Sequence, residues 1–115
     1  MSKTMQIAKP DTPNPWLVTA LYKFLALPDF EELREPILDA ANKANLVGTL
    51  LLAHEGINGT IAGPEQGMHD FMVWLKVLKH NNGAPFADLE YKQSWAEDKP
   101  FLRMKVRLKK EIGTM

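Results

Sequence analysis

Residues 48–63, Gly-Thr-Leu-Leu-Leu-Ala-His-Glu-Gly-Ile-Asn-Gly-Thr-Ile-Ala-Gly, constrain the fold more than any other stretch of this chain. The apolar run Leu50-Leu51-Leu52 reads as a buried strand, and a polar turn with two glycines follows it. A second short strand then stops at Gly63-Pro64. The segment is expected to form a hairpin, with Gly56 and Gly59 supplying positive φ and Asn58-Gly59 as a strong turn signal. Ordinary hairpins do not need Glu55, Asn58 and two glycines so close together. The tip is therefore either a demanding turn or a surface that something recognises.

The flanking sequence supplies the partners of this hairpin. Trp16 to Phe24 is β-branched and aromatic and reads as a first strand. A helix is expected from Asp29, with Asp29 as N-cap and Glu32 completing a capping box. Its buried face is Phe30, Leu33, Ile37, Ala40, Ala41 and Ala44. Pro36 should kink this helix or mark where a first turn hands over to the main segment. A second helix is expected from Pro64, with Met68, Phe71, Met72, Leu75 and Leu78 inward and Asn81-Asn82-Gly83 ending it. Two more strands follow, at about 88–95 and 101–109, separated by a polar turn. The order β-α-β-β-α-β-β predicts an α+β, ferredoxin-like (acylphosphatase-like) split βαβ sandwich. It would have an antiparallel sheet of about five strands, with two helices on one face.

Length bounds the organisation: 115 residues suffice for one domain with a single core. Residues 1–15, with three prolines in six positions, read as a flexible lead-in. Residues 16–112 form the folded domain, and 113–115 begin a linker. The absence of cysteine removes disulfides, zinc–thiolate sites, iron–sulfur clusters and thiol nucleophiles from these residues. No apolar run approaches a membrane span, so no membrane partner is expected. A formal net charge of +0 means that any nucleic-acid partner needs a local basic patch.

Such a patch is legible in the last strand. Arg103, Lys105, Arg107 and Lys109 alternate with Leu102, Met104, Val106 and Leu108, and Lys110 follows. Period-two alternation places the four cations on one sheet face, about 7 Å apart, close to the phosphate repeat of an extended strand. The competing reading is a solvated face, or a charged edge that deters strand-to-strand aggregation. The absence of any interleaved carboxylate keeps RNA binding open.

Other candidates are weaker. His54-Glu55 has no second carboxylate or nucleophile tied to it by spacing, so acid–base catalysis lacks a partner. Glu55 and Asn58 are expected to hydrogen-bond loop amides. His69 and His80 lack metal-ligand spacing and read as surface residues, and no metal site is expected. Trp16, Trp74 and Trp95 are scattered rather than arrayed for base stacking. Gly59 to Gly63 lacks the Lys-Ser/Thr ending of a phosphate loop. The first strand-to-helix loop, Ala26-Leu27-Pro28-Asp29, has no glycine or arginine for the anion cradle that an acylphosphatase-type enzyme needs.

Tyr22-Lys23-Phe24, the run from Gly48 to Gly63, Lys92-x-Ser94, Pro100-Phe101 and Lys105-Val106-x-x-Lys109-Lys110-Glu111-Ile112 together carry a resemblance. Over residues 17–112 the chain resembles the N-terminal domain of the rhodanese-containing tRNA uridine hydroxylases. The resemblance implies a cytoplasmic parent enzyme that uses molecular oxygen to form 5-hydroxyuridine at the tRNA wobble position. It also implies a rhodanese domain beyond residue 115, which carries the essential cysteine. No catalytic residue carries over, and no cofactor is implied within these residues. On this reading tRNA is bound through Lys92 on a neighbouring strand, Arg103, Lys105, Arg107, Lys109 and Lys110. The family-motif loop of His54, Glu55, Gly56, Asn58 and Gly59 would face the rhodanese site or the RNA. The alternatives are a scaffold packed on the rhodanese domain, or a small-molecule module with a pocket lined by Glu55 and Asn58.

Overall fold

The run Trp16–Phe24 folds as strand β1, as its side chains dictate. Leu17, Thr19 and Leu21 are buried toward one side, whereas Ala20, Tyr22 and Phe24 on the other side are exposed. This is the alternation of a strand covered along one face, with Val18 alone buried on the other. The computed structural model describes Lys9, Asp11 and residues 15–109. The lead-in expected over 1–15 and the linker expected over 113–115 therefore fall almost wholly outside the described residues.

The first helix begins differently from expectation. Asp29 sits in the left-handed region at φ 58° and makes no side-chain cap. A single 3-10 turn, Phe30–Leu33, precedes helix α1, Arg34–Lys43. Pro36 explains the break. A continuous α-helix from Phe30 would set its ring against the carbonyl of Glu32, whereas in the first turn of α1 its missing N–H goes unneeded.

Strands β2 (Val47–Ala53) and β3 (Gly56–Gly63) form the expected hairpin, and α2 (Glu65–Val77) follows with Pro64 as its N-cap. Asn81 and Asn82 do not end α2. They form a separate two-residue turn, both at positive φ, bridged by His80 and Gly83. Strands β4 (Glu90–Ala96) and β5 (Met104–Leu108) complete the chain.

The strand order is β4-β1-β3-β2-β5. β1 pairs antiparallel with β3 and β4, and β3 pairs antiparallel with β2. β5 pairs parallel with β2, so the sheet is mixed rather than wholly antiparallel. β4 and β5 consequently lie at opposite edges and are not a hairpin. Their connection, residues 97–103, is longer than a tight turn and crosses one end of the sheet. Four strand spacings are about 19 Å, within the reach of seven extended residues. Phe101 pins this crossing by packing with Trp16 onto Val18, Val47, Ala62 and Ala96. On the other face Leu21, Leu50, Leu52, Ile57 and Ile61 meet Ile37, Met68, Phe71 and Leu75 from the helices in one core. Among the described residues no helix is long and apolar enough to cross a membrane.

Candidate nucleic-acid interface

Register places every second residue of the five strands on the helix-free face. One row across it reads Lys92, Ala20, Thr60, Thr49, Lys105. The next reads Glu90, Tyr22, Asn58, Leu51, Arg107. Because side chains alternate with period two, these ten share one surface.

The cations at the β5 edge are positioned by the ladder. The Gly48 amide donates to the Arg103 carbonyl at 2.9 Å, and the Lys109 amide donates to the Leu52 carbonyl at 2.8 Å. The β5 backbone thus stays paired from 103 to 109, and all four cations are exposed while Met104 and Val106 are buried. Arg34 of α1 fastens the outer edge, its Nε donating to the Val106 carbonyl at 2.9 Å. The inward half of the pattern is shorter than expected. Leu102 lies in a bend ahead of the strand and is 91% exposed, and Leu108 is 41% exposed.

Among the described residues the ion pairs are Lys9–Glu65, Lys23–Asp88, Arg34–Glu35 and Lys43–Asp39. None of them neutralises the four β5 cations. Lys92 shares their face but stands at the far edge, separated by β1, β3 and β2, not on a neighbouring strand. Lys110 lies outside the described residues.

The motif loop divides in two. His54 and Glu55 alone form the turn, and Gly56 to Gly59 belong to β3. Asn58-Gly59, expected at the tip, pairs instead with Leu51 and Leu50 inside the sheet. Neither turn residue takes positive φ, and Gly56 takes it at 132°. At Gly59 the reason for glycine is approach: a Cβ would stand 2.1 Å from the Thr49 carbonyl oxygen.

The tip is tied to the first strand-to-helix loop. The Leu25 and Leu27 amides donate to the carbonyls of Glu55 and His54, at 3.0 and 2.9 Å. The His54 ring stands edge-on to Phe30, 4.8 Å between centroids. Loop amides spent in this way do not point at an anion, which adds to the missing arginine against a phosphate cradle here. A hollow of about 320 Å³ is lined by Asn58 but not by Glu55, so the two do not share that cavity. His69 is exposed, whereas His80 is half-buried with Nε2 at 2.7 Å from the Pro28 carbonyl.

Sequence reasoning missed Tyr22 and Phe24 as surface residues. They are 44% and 56% exposed, with ring centroids 5.7 Å apart. Period two from buried Leu17 and Leu21 was the signal that could have found them. The Tyr22 hydroxyl donates to Glu90 Oε1 at 2.8 Å, and this bond, with the carboxylate's charge, raises the phenol above its ordinary value. Nearby, the hydrogen bond from Lys23 Nζ holds the Asp88 carboxyl below the usual carboxylate range.

The family model described as the UPF0176 acylphosphatase like domain matches residues 16–112. The chain is 51% identical over 107 residues to the tRNA uridine(34) hydroxylase of Sinorhizobium medicae (strain WSM419), covering 93% of the chain and 32% of that relative. It is 47% identical over 115 residues to the tRNA uridine(34) hydroxylase of Agrobacterium fabrum (strain C58 / ATCC 33970), covering 100% and 35%. The chain thus spans about a third of the length of the curated relatives it matches. Among solved structures it is similar to an acylphosphatase from Coxiella burnetii, with TM-score 0.58 and 14% identity, over 84% of this chain and 94% of that one. An acylphosphatase from Bacillus subtilis gives TM-score 0.51 at 16% identity, over 81% and 97%. Identity at that level speaks for the fold alone: an acylphosphatase-like α+β sandwich.

Proposed function

The chain belongs to the family of the UPF0176 acylphosphatase like domain, and from that premise we propose that it is the tRNA-positioning N-terminal domain of a tRNA uridine hydroxylase. The parent enzyme forms 5-hydroxyuridine at the wobble position in the cytoplasm, with molecular oxygen as a substrate. The resemblance puts the chemistry in a rhodanese domain beyond residue 115; residues 1–115 hold no cysteine.

One observation carries the positioning role: Arg103, Lys105, Arg107 and Lys109 stand exposed along one edge, with no described carboxylate paired to them. Cations in such a line neutralise successive phosphates and release their counterions. Contacts of this kind fix the register of the RNA and leave base choice to other groups. The domain's part is to hold the anticodon arm so that its wobble uridine reaches the neighbouring active site.

The test is tRNA binding by the full-length enzyme across a salt titration, with Lys105→Glu and Arg107→Glu combined. Losing two phosphate contacts should make the slope of log K against log salt shallower by about 1.4–1.8. Carried from 1 M down to 0.1 M salt, that is a loss of about 25- to 60-fold in affinity. Unchanged affinity and slope would sink the reading and leave the domain a scaffold for the rhodanese fold.

A further inference from the structure

The centre of the helix-free face is built unlike its β5 edge. Ala20, opposite Thr60 and Lys92 in the register, leaves a hollow beside the Tyr22 ring. Its volume is about 320 Å³. Exposed Tyr22 forms an aromatic wall of the hollow with exposed Phe24 beside it, the two rings tilted by 54°, and Asn58, Thr60, Glu90 and Lys92 supply polar groups around the hollow. The Glu90 hydrogen bond fixes the Tyr22 hydroxyl, so the ring is held in place before anything binds. Cations stand at both edges of the same face, Lys92 at one and Lys105 with Arg107 at the other.

We infer that this hollow receives one unpaired base of RNA, stacked on the Tyr22–Phe24 aromatic surface while its backbone runs toward the β5 cations. The inference rests on the tRNA-positioning reading and adds a second kind of contact to it. A paired base shows no open π-face, whereas an unpaired one does, and stacking on aromatic side chains is how single-stranded RNA is held. Amide, hydroxyl, carboxylate and ammonium groups around the hollow meet both donors and acceptors on a base edge. The charge pattern favours RNA over a protein surface as the occupant. A protein occupant would have to match the line of exposed cations at the β5 edge, whereas a polyanion meets it by its nature, and Lys92 offsets Glu90 at the other edge.

The test uses the full-length enzyme with two probes, tRNA and a blunt RNA duplex without unpaired bases. Tyr22→Leu with Phe24→Leu keeps apolar surface and removes the π-faces. This variant should bind tRNA about tenfold or more weakly, since stacking one base supplies an effect of that order. Its salt slope should stay unchanged, because no phosphate contact is lost. Duplex affinity should also stay unchanged, and Tyr22→Phe alone should retain most tRNA affinity. Wild-type tRNA binding by the double-leucine variant overturns the inference. Equal losses on tRNA and duplex also overturn it, marking instead a contact that does not depend on an unpaired base. If Lys105→Glu/Arg107→Glu weakens tRNA binding while the leucine variant does not, stacking alone fails and the positioning reading stands. If neither variant weakens it, both fail.

Discussion

Gly56→Ala should destabilise the domain by about 4 kcal/mol, lowering its melting temperature by roughly 15–30 °C. Two independent effects add here. The backbone at Gly56 holds φ at 132°, a region that residues with a side chain enter at a cost of about 1–3 kcal/mol. A Cβ at this position would also stand 1.9 Å from the Lys23 carbonyl oxygen, which is backbone and cannot rotate away. Relief requires β3 to move off β1 at the Phe24–Gly56 pair, the last pair of the ladder between the two inner strands. Thermal and urea unfolding of the two proteins measures the difference directly. A loss under about 1 kcal/mol would show that the hairpin relaxes without disturbing the ladder.

Ile57→Ala is the second large effect, at about 2–5 kcal/mol. Ile57 is fully buried on a central strand, within the cluster that also holds Leu52, Phe71 and Leu75. Removing most of its side chain loses the transfer free energy of those groups and leaves a cavity between sheet and helices that β3 cannot collapse into, since it is paired on both sides. Domains of this size have a total stability of about 5–15 kcal/mol, so either substitution removes a large share of it. Urea denaturation gives the value from the shift in midpoint at constant slope. Together the two results would make Gly56-Ile57 a folding element.

That outcome bears on what the sequence disclosed. β1 was legible to its end residues, because eight of its nine residues are β-branched, apolar or aromatic and leave little else to form. The first helix was legible in existence but not in continuity, since Pro36 permits either a kink or a fresh start and only packing chooses. The hairpin was legible, but its turn lay at His54-Glu55 rather than Asn58-Gly59. Local turn preference at Asn-Gly was overridden by the pairing of Gly59 with Leu21 and Leu50. The place of β5 was hidden, because nothing in residues 97–103 by themselves says that Phe101 anchors a crossing to the far edge.

The candidate site followed the same division. Alternation along the last strand is a local property, so the exposure of the four cations is legible, while the loss of burial at Leu108 is not. Lys92 was misplaced because strand neighbours are a property of topology. The exposure of Tyr22 and Phe24 is not legible, since a single strand does not reveal which of its faces the helices leave bare. Glu55 and Asn58, three positions apart in the motif, stand on different parts of the hairpin because the turn closes at His54-Glu55.

The central claim is that tRNA lies on the helix-free face along β5. Lysine acetylation of the full-length enzyme, read by mass spectrometry with and without saturating tRNA, tests it most directly. The account predicts that tRNA shields Lys105 and Lys109 strongly and Lys92 at the far edge less, while Lys43 on α1 reacts as before. Equal reactivity of Lys105 and Lys109 in the two samples would contradict it.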